Sequence, residues 1–132
     1  MKHSIRTHVS TKEIYRFLVG GGSAVLIDAG VYVMLKTRID FSLAKVISYI
    51  IGATVGFVIN KLWTFECKGF NVAEILKYAV LYVFSAYANA FVNRTVLLVI
   101  SSTIFAFLCA TGTSTVLNFI GQKFLVFRTI EK

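Results

Sequence analysis

The chain contains no proline, so no helix is kinked by a missing backbone donor. Acids are scarce: six Asp and Glu face fourteen Lys and Arg, a formal net charge of +8. The two histidines, His3 and His8, both sit in the polar N-terminal tail. The two cysteines, Cys67 and Cys109, have no metal or redox spacing, and Cys109 reads as a small core residue inside an apolar run. No Ser/His/Asp or Cys/His set is present, so an enzyme is not expected, nor a metal or other cofactor.

What is present is apolar. Hydrophobic residues make up 57% and charged residues 15%, whereas a soluble domain has about 45–50% and about 25%. That excludes an ordinary soluble domain, and also disorder, which needs low hydrophobicity. The length allows one domain over residues 1–132. A basic chain of this kind suits an anionic membrane surface or lipid; nucleic acid is not expected.

Four runs are long enough to cross a bilayer as helix: Ile14–Leu35, Ala44–Phe65, Ile75–Val96 and Ala106–Phe127. Twenty-two residues at about 1.5 Å each span about 33 Å. Short connections make neighbours antiparallel. The first run follows Lys2, Arg6 and Lys12 like a signal peptide, but it is too long, carries Asp28 and lacks a small-residue cleavage site, so it is read as retained.

Basic residues orient the spans. Lys2, Arg6, Lys12, Arg16, Lys61, Lys68, Lys77, Lys123, Arg128 and Lys132 fall on one side, and Lys36, Arg38, Lys45 and Arg94 on the other. Both termini are therefore expected in the cytoplasm. Tyr15, Trp63, Phe65, Tyr78, Phe124 and Phe127 are expected to form the aromatic belt on that side.

The chain repeats itself. An offset of 61 aligns Glu13 with Glu74, Arg16 with Lys77, Phe17 with Tyr78 and Asp28 with Asn89. An offset of 62 aligns Phe57 with Phe119, Asn60 with Gln122, Lys61 with Lys123 and Phe65 with Phe127. The reading is an all-α membrane protein of two parallel two-helix repeats, about 13–65 and about 74–127, related by an axis near the membrane normal. The extra residue belongs in the outer hairpin.

Each helix also carries a stripe of small or polar residues at a spacing of three or four. These are Gly21, Ala24, Asp28 and Tyr32; Ser48, Gly52, Gly56 and Asn60; Tyr82, Ser85, Asn89 and Asn93; and Ala110, Ser114, Asn118 and Gln122. Lipid penalises polar groups, so the stripes should face protein or water. Gly52–Gly56 is a short GxxxG packing pair and a candidate contact between copies. Gly20–Gly21–Gly22 follows no strand and is not a phosphate loop. For Asn89, Asn93, Asn118 and Gln122, interhelical hydrogen bonds and a polar cavity are equally open.

Asp28 lies two thirds of the way across the first span, where a carboxylate must be paired, hydrated or protonated. Lys45 and Arg94 are its available partners, and either could instead snorkel to headgroups. The bland alternative for Asp28 is a structural salt bridge. Arg16, Lys61, Lys77 and Lys123, at the cytoplasmic helix ends with Asn60 and Gln122, form a candidate phosphate site. Positive-inside anchoring is the alternative. Asn93–Arg94–Thr95 fits a glycosylation acceptor but lies too close to the membrane.

Arg16–Phe17–Leu18–Val19–Gly20, Asp28 and Asn60–Lys61–Leu62–Trp63–Thr64–Phe65 resemble the GtrA-like family, and the ending recurs as Asn118 to Phe127. The chain departs from that pattern at Gln122, usually asparagine, and at Leu125, usually aromatic. The resemblance implies a bacterial inner-membrane protein that moves a polyprenyl-phosphate-linked sugar to the outer leaflet. There a membrane glycosyltransferase would pass the sugar to O-antigen, teichoic acid or arabinogalactan. On this reading the site is Arg16, Asp28, Lys45, Asn60, Lys61, Lys77, Asn89, Asn93, Arg94, Asn118, Gln122 and Lys123. A homodimer or larger homo-oligomer is expected, since four helices leave little room for a sugar path. The rival readings are a non-transporting subunit that anchors a glycosyltransferase, and a small proton-coupled transporter.

Overall fold

The computed structural model describes residues 8–127. His3 and the flanking cations Lys2, Arg6, Arg128 and Lys132 lie outside them. All regular structure among the described residues is helical: α1 (Thr11–Leu35), α2 (Phe41–Ile59), α3 (Val72–Val99) and α4 (Thr103–Gly121). A π-turn follows α2 at Asn60–Thr64 and another follows α4 at Gln122–Val126. With these turns, all four helices are long and apolar enough to cross a membrane.

Every helix starts at a polar cap. Ser10 and Glu13 form a reciprocal capping box at 3.2 Å in each direction. Asp40 accepts from the N–H groups of Ser42 and Leu43, Asn71 from Ala73, and Ser102 from Phe105. Each such cap satisfies orphan donors of the first turn and is worth about 1 kcal/mol. The starts at residues 11, 41, 72 and 103 are each three residues earlier than hydropathy placed them, because the polar caps Ser10, Asp40, Asn71 and Ser102 begin each helix there. α3 starts 61 residues after α1, and α4 starts 62 after α2.

The chain divides into two compact units, one ending at Lys68 and one beginning at Gly69. In each, two antiparallel helices pack along their length. In the first unit the helices cross on glycine. A Cβ on Gly52 would stand 2.8 Å from the Ala24 carbonyl oxygen and 2.9 Å from the Asp28 Cβ. One on Gly20 would stand 2.9 Å from both Asn60 Oδ1 and Ile59 Cγ2. Gly52 therefore packs against α1 of the same chain, the packing reading of its GxxxG pair, rather than facing a second copy. Gly21 and Gly22 have open space around them, and α1 runs unbroken through all three glycines.

Side-chain placement inverts that of a soluble domain. Leu26, Phe91, Leu98 and Leu108 point outward, while Ser48, Asn60, Lys61, Thr64, Ser85, Gln122 and Lys123 are buried. Water would penalise that arrangement and lipid rewards it. The expected aromatic belt is corrected in half its members: Phe65, Tyr78 and Phe127 are buried. Phe17 meets Phe65, and Tyr78 meets Phe127, each at 6.4 Å between ring centroids. Cys109 is half-buried rather than a core residue, and both cysteines are free.

Candidate functional site

Asp28 is seven residues from the end of α1, and Lys45 is four past the start of α2. At about 1.5 Å per residue both lie within about 10 Å of the loop end. Lys45 Nζ donates to both Asp28 oxygens, at 3.1 and 2.9 Å, and Ser48 Oγ donates to Oδ1 at 2.6 Å. Of the two partners left open, the structure pairs Asp28 with Lys45. Arg94 is exposed and, among the described residues, makes no ion pair. The Tyr32 ring lies 5.7 Å below Lys45 Nζ and is braced edge-on by Phe41. The result is a satisfied carboxylate–ammonium–hydroxyl cluster, with Asp28 mostly enclosed and Lys45 half open.

The second unit replaces charge with amide. Asn89 aligns with Asp28 and Ser114 with Gly52. Asn89 Nδ2 donates to Ser114 Oγ at 3.0 Å, the interhelical bond that was one of the two readings of the amide stripe. Asn118 Oδ1 is enclosed and, among the described residues, has no hydrogen-bond partner. Asn93 is half-buried near Arg94.

The π-turns set the far end of each unit. Phe65 N–H bonds to the Asn60 carbonyl at 2.9 Å, and Phe127 N–H to Gln122 at 2.7 Å, both five residues back. Such turns widen the helix and recur at functional sites. Each carries an amide followed by a lysine, Asn60–Lys61 and Gln122–Lys123, and all four side chains are buried. Lys61 keeps 5% of its surface and Lys123 1%. Thr64 Oγ1 donates to Asn60 Oδ1 at 3.0 Å, and Lys61 Nζ lies 3.9 Å from Cys67 Sγ.

The expected set of equivalent interfacial cations is corrected here. Lys61 and Lys123 are interior. Arg16 is engaged: Nη1 donates to the Trp63 carbonyl at 2.6 Å and to Glu66 at 2.7 Å, and the guanidinium lies 5.1 Å over the Trp63 ring. Lys77 is exposed and, among the described residues, unpaired. The contrast between Arg16 and Lys77 traces to Glu66, which sequence reasoning missed. Its φ of +51° is unusual for a side-chain-bearing residue. The bonds from Arg16 and the nearby Lys12 charge hold it there and keep its carboxyl below the usual glutamate range. Reflection about the α1–α2 connection could have revealed the Asp28–Ser48 bond, though not the Arg16–Glu66 pair, since position 16 mirrors to 60. Mirroring Asp28 about residue 38, the centre of the 36–40 connection, lands on Ser48.

Residues 16–127 match the family described as GtrA/DPMS, transmembrane domain. The chain belongs to that family. It begins the match at Arg16 and ends it at Phe127, so the family region takes in both π-turns and every candidate site residue. With its four apolar helices, this GtrA/DPMS domain is a multi-pass membrane protein.

Proposed function

We propose that this GtrA/DPMS domain is a flippase that carries a polyprenyl-phosphate-linked monosaccharide from the cytoplasmic to the outer leaflet of a bacterial inner membrane. The sugar would serve O-antigen, teichoic acid or arabinogalactan glycosylation through a partner membrane glycosyltransferase. On this proposal both termini and both π-turns are cytoplasmic, the two hairpins are parallel repeats, and the chain works as a homo-oligomer without catalysing a reaction itself.

One observation carries the reading: each apolar hairpin ends in a π-turn that withholds an amide–lysine pair from solvent. A buried ammonium is costly and attracts an anion. In each hairpin the phosphodiester would be drawn by the lysine of its own π-turn, Lys61 or Lys123, as a point charge. Asn60, Gln122, Asn89 and Asn118 would offer hydrogen bonds to sugar hydroxyls, and the prenyl tail would stay in lipid. Asp28, Lys45 and Ser48 would form a second polar station nearer the outer surface, where carboxylate and ammonium can exchange their mutual bonds for sugar hydroxyls.

The test uses pure protein in proteoliposomes. A membrane-impermeant probe follows a polyprenyl-phosphate-hexose between leaflets. Rapid exchange that slows at least tenfold in Asp28→Asn or in Lys61→Ala with Lys123→Ala, both inserted with unchanged helix content, is the expected result. Exchange no faster than in empty vesicles would turn the reading to a subunit that anchors a glycosyltransferase.

A further inference from the structure

The two hairpins differ at the place where α1 or α3 meets its π-turn. In the second, Leu76, Val80, Leu81, Phe84, Leu125 and Val126 line an open groove of about 410 Å³, together with the exposed Lys77. That volume lies in the about 300–1,000 Å³ range of small-molecule sites. Apart from Lys77, no polar side chain among the described residues lines it.

The aligned position in the first hairpin is built differently. Arg16 stands where Lys77 stands, but its guanidinium is spent on Glu66, on the Trp63 carbonyl and on the Trp63 ring. Trp63 itself aligns with Leu125. Gly20 and Ser23 replace Leu81 and Phe84, so two of the bulky lining side chains are lost. At the offset of 62, the residue aligned with Glu66 is the cation Arg128, so the sequence places no acid there.

We propose that the second hairpin alone holds an anionic glycerophospholipid of the surrounding bilayer, its phosphate on the Lys77 ammonium and one acyl chain in the groove. Charge complementarity selects this occupant. Among the described residues Lys77 is exposed and unpaired, and no carboxylate lines the groove. A sugar-linked carrier would find only one donor there for its hydroxyls. A helix from a second copy would expect small residues to pack on, and none lines the groove. The inference does not depend on transport: the lipid is a fixed partner of this face.

The experiment is spin-label electron paramagnetic resonance on protein in phosphatidylcholine vesicles, with labelled phosphatidylglycerol or labelled phosphatidylcholine as probe. The wild type should prefer phosphatidylglycerol roughly fivefold, the scale of one lysine at an anionic surface. Lys77→Gln should abolish most of that preference, whereas Lys68→Gln, which removes an exposed cation elsewhere, should leave it unchanged. Val80→Trp keeps the charge and fills the groove from its open side; it should also abolish the preference, with Leu125→Trp as the second variant should Val80→Trp insert poorly. Equal losses in Lys77→Gln and Lys68→Gln would mean diffuse attraction and overturn the proposal. So would full preference in the groove-filled variants, or stronger retention of polyprenyl phosphate than of phosphatidylglycerol.

Discussion

Leu81 of α3 occupies the space in which a Cβ on Gly121 of α4 would stand. The aligned crossing in the first hairpin reverses the pair: Gly20 lies on the first helix and Ile59 on the second. Each hairpin thus places one glycine against one branched aliphatic at the same level, on opposite helices. The same close approach is reached from two complementary surfaces, and neither can be enlarged alone.

Gly52→Ala and Gly121→Ala should therefore both destabilise, but unequally. At Gly52 the obstacle is the Ala24 carbonyl oxygen, which belongs to the backbone and cannot rotate away. At Gly121 it is the flexible end of Leu81. Overpacking costs about 1–3 kcal/mol; Gly52→Ala should fall near the top of that range and Gly121→Ala near the bottom. Reversible unfolding in mixed micelles measures both. Leu81→Ala should recover most of the Gly121→Ala loss and none of the Gly52→Ala loss.

Gly21→Ala and Gly22→Ala have the opposite sign. No atom lies within 4 Å of a Cβ at either position. Alanine favours helix over glycine by about 1 kcal/mol in water, so each variant should be neutral or stabilising in the same unfolding experiment. A loss as large as that of Gly52→Ala would show that α1 needs its glycines for something other than packing.

Glu66 gives a pH signature. Arg16 and Lys12 hold its folded carboxyl below the usual glutamate range of about 4.3. The ion pair therefore contributes stability that is fully present above that range and is lost as pH falls through the depressed folded value. Trp63, the one tryptophan of the chain, lies under the Arg16 guanidinium and reports the change. Its emission should shift on acidification below about pH 4. Glu66→Gln should show the shifted emission already at pH 7 and remain flat across the same titration.

The Asp28–Lys45 pair separates structure from transport. Lys45→Gln leaves a largely enclosed carboxylate with Ser48 alone. It should cost about 1–3 kcal/mol, between the values for exposed and buried pairs, because Lys45 is half open to solvent. Asp28→Asn combined with Lys45→Gln removes both charges and should return to within about 1 kcal/mol of wild type. If the cluster serves only to join α1 to α2, the double variant would exchange lipid-linked sugar at the normal rate. The transport role expects it to be stable and slow.

Much of this molecule is written in local composition. Span number and length follow from four apolar runs, because burial in lipid is additive along a helix. The offsets of 61 and 62 reappear in the helix starts, and the family was legible in the residues around Arg16, Asp28 and Asn60. Even the three-residue error at each start was readable, since Ser10, Asp40, Asn71 and Ser102 are all good caps. Periodicity could not say which neighbour each polar face would meet. That Lys45 and Ser48 are the α2 residues that reach Asp28 depends on the rotation of α2 against α1, where Gly52 allows close approach. The enclosure of Lys61, Lys123, Phe65 and Phe127 depends on π-turns that swing the helix ends out of regular register. The difference between an engaged Arg16 and an open Lys77 comes from a glutamate fifty residues away in the chain. Hydrophobicity is summed along the sequence; pairing is decided by crossing angle and register, which arise only when helices touch.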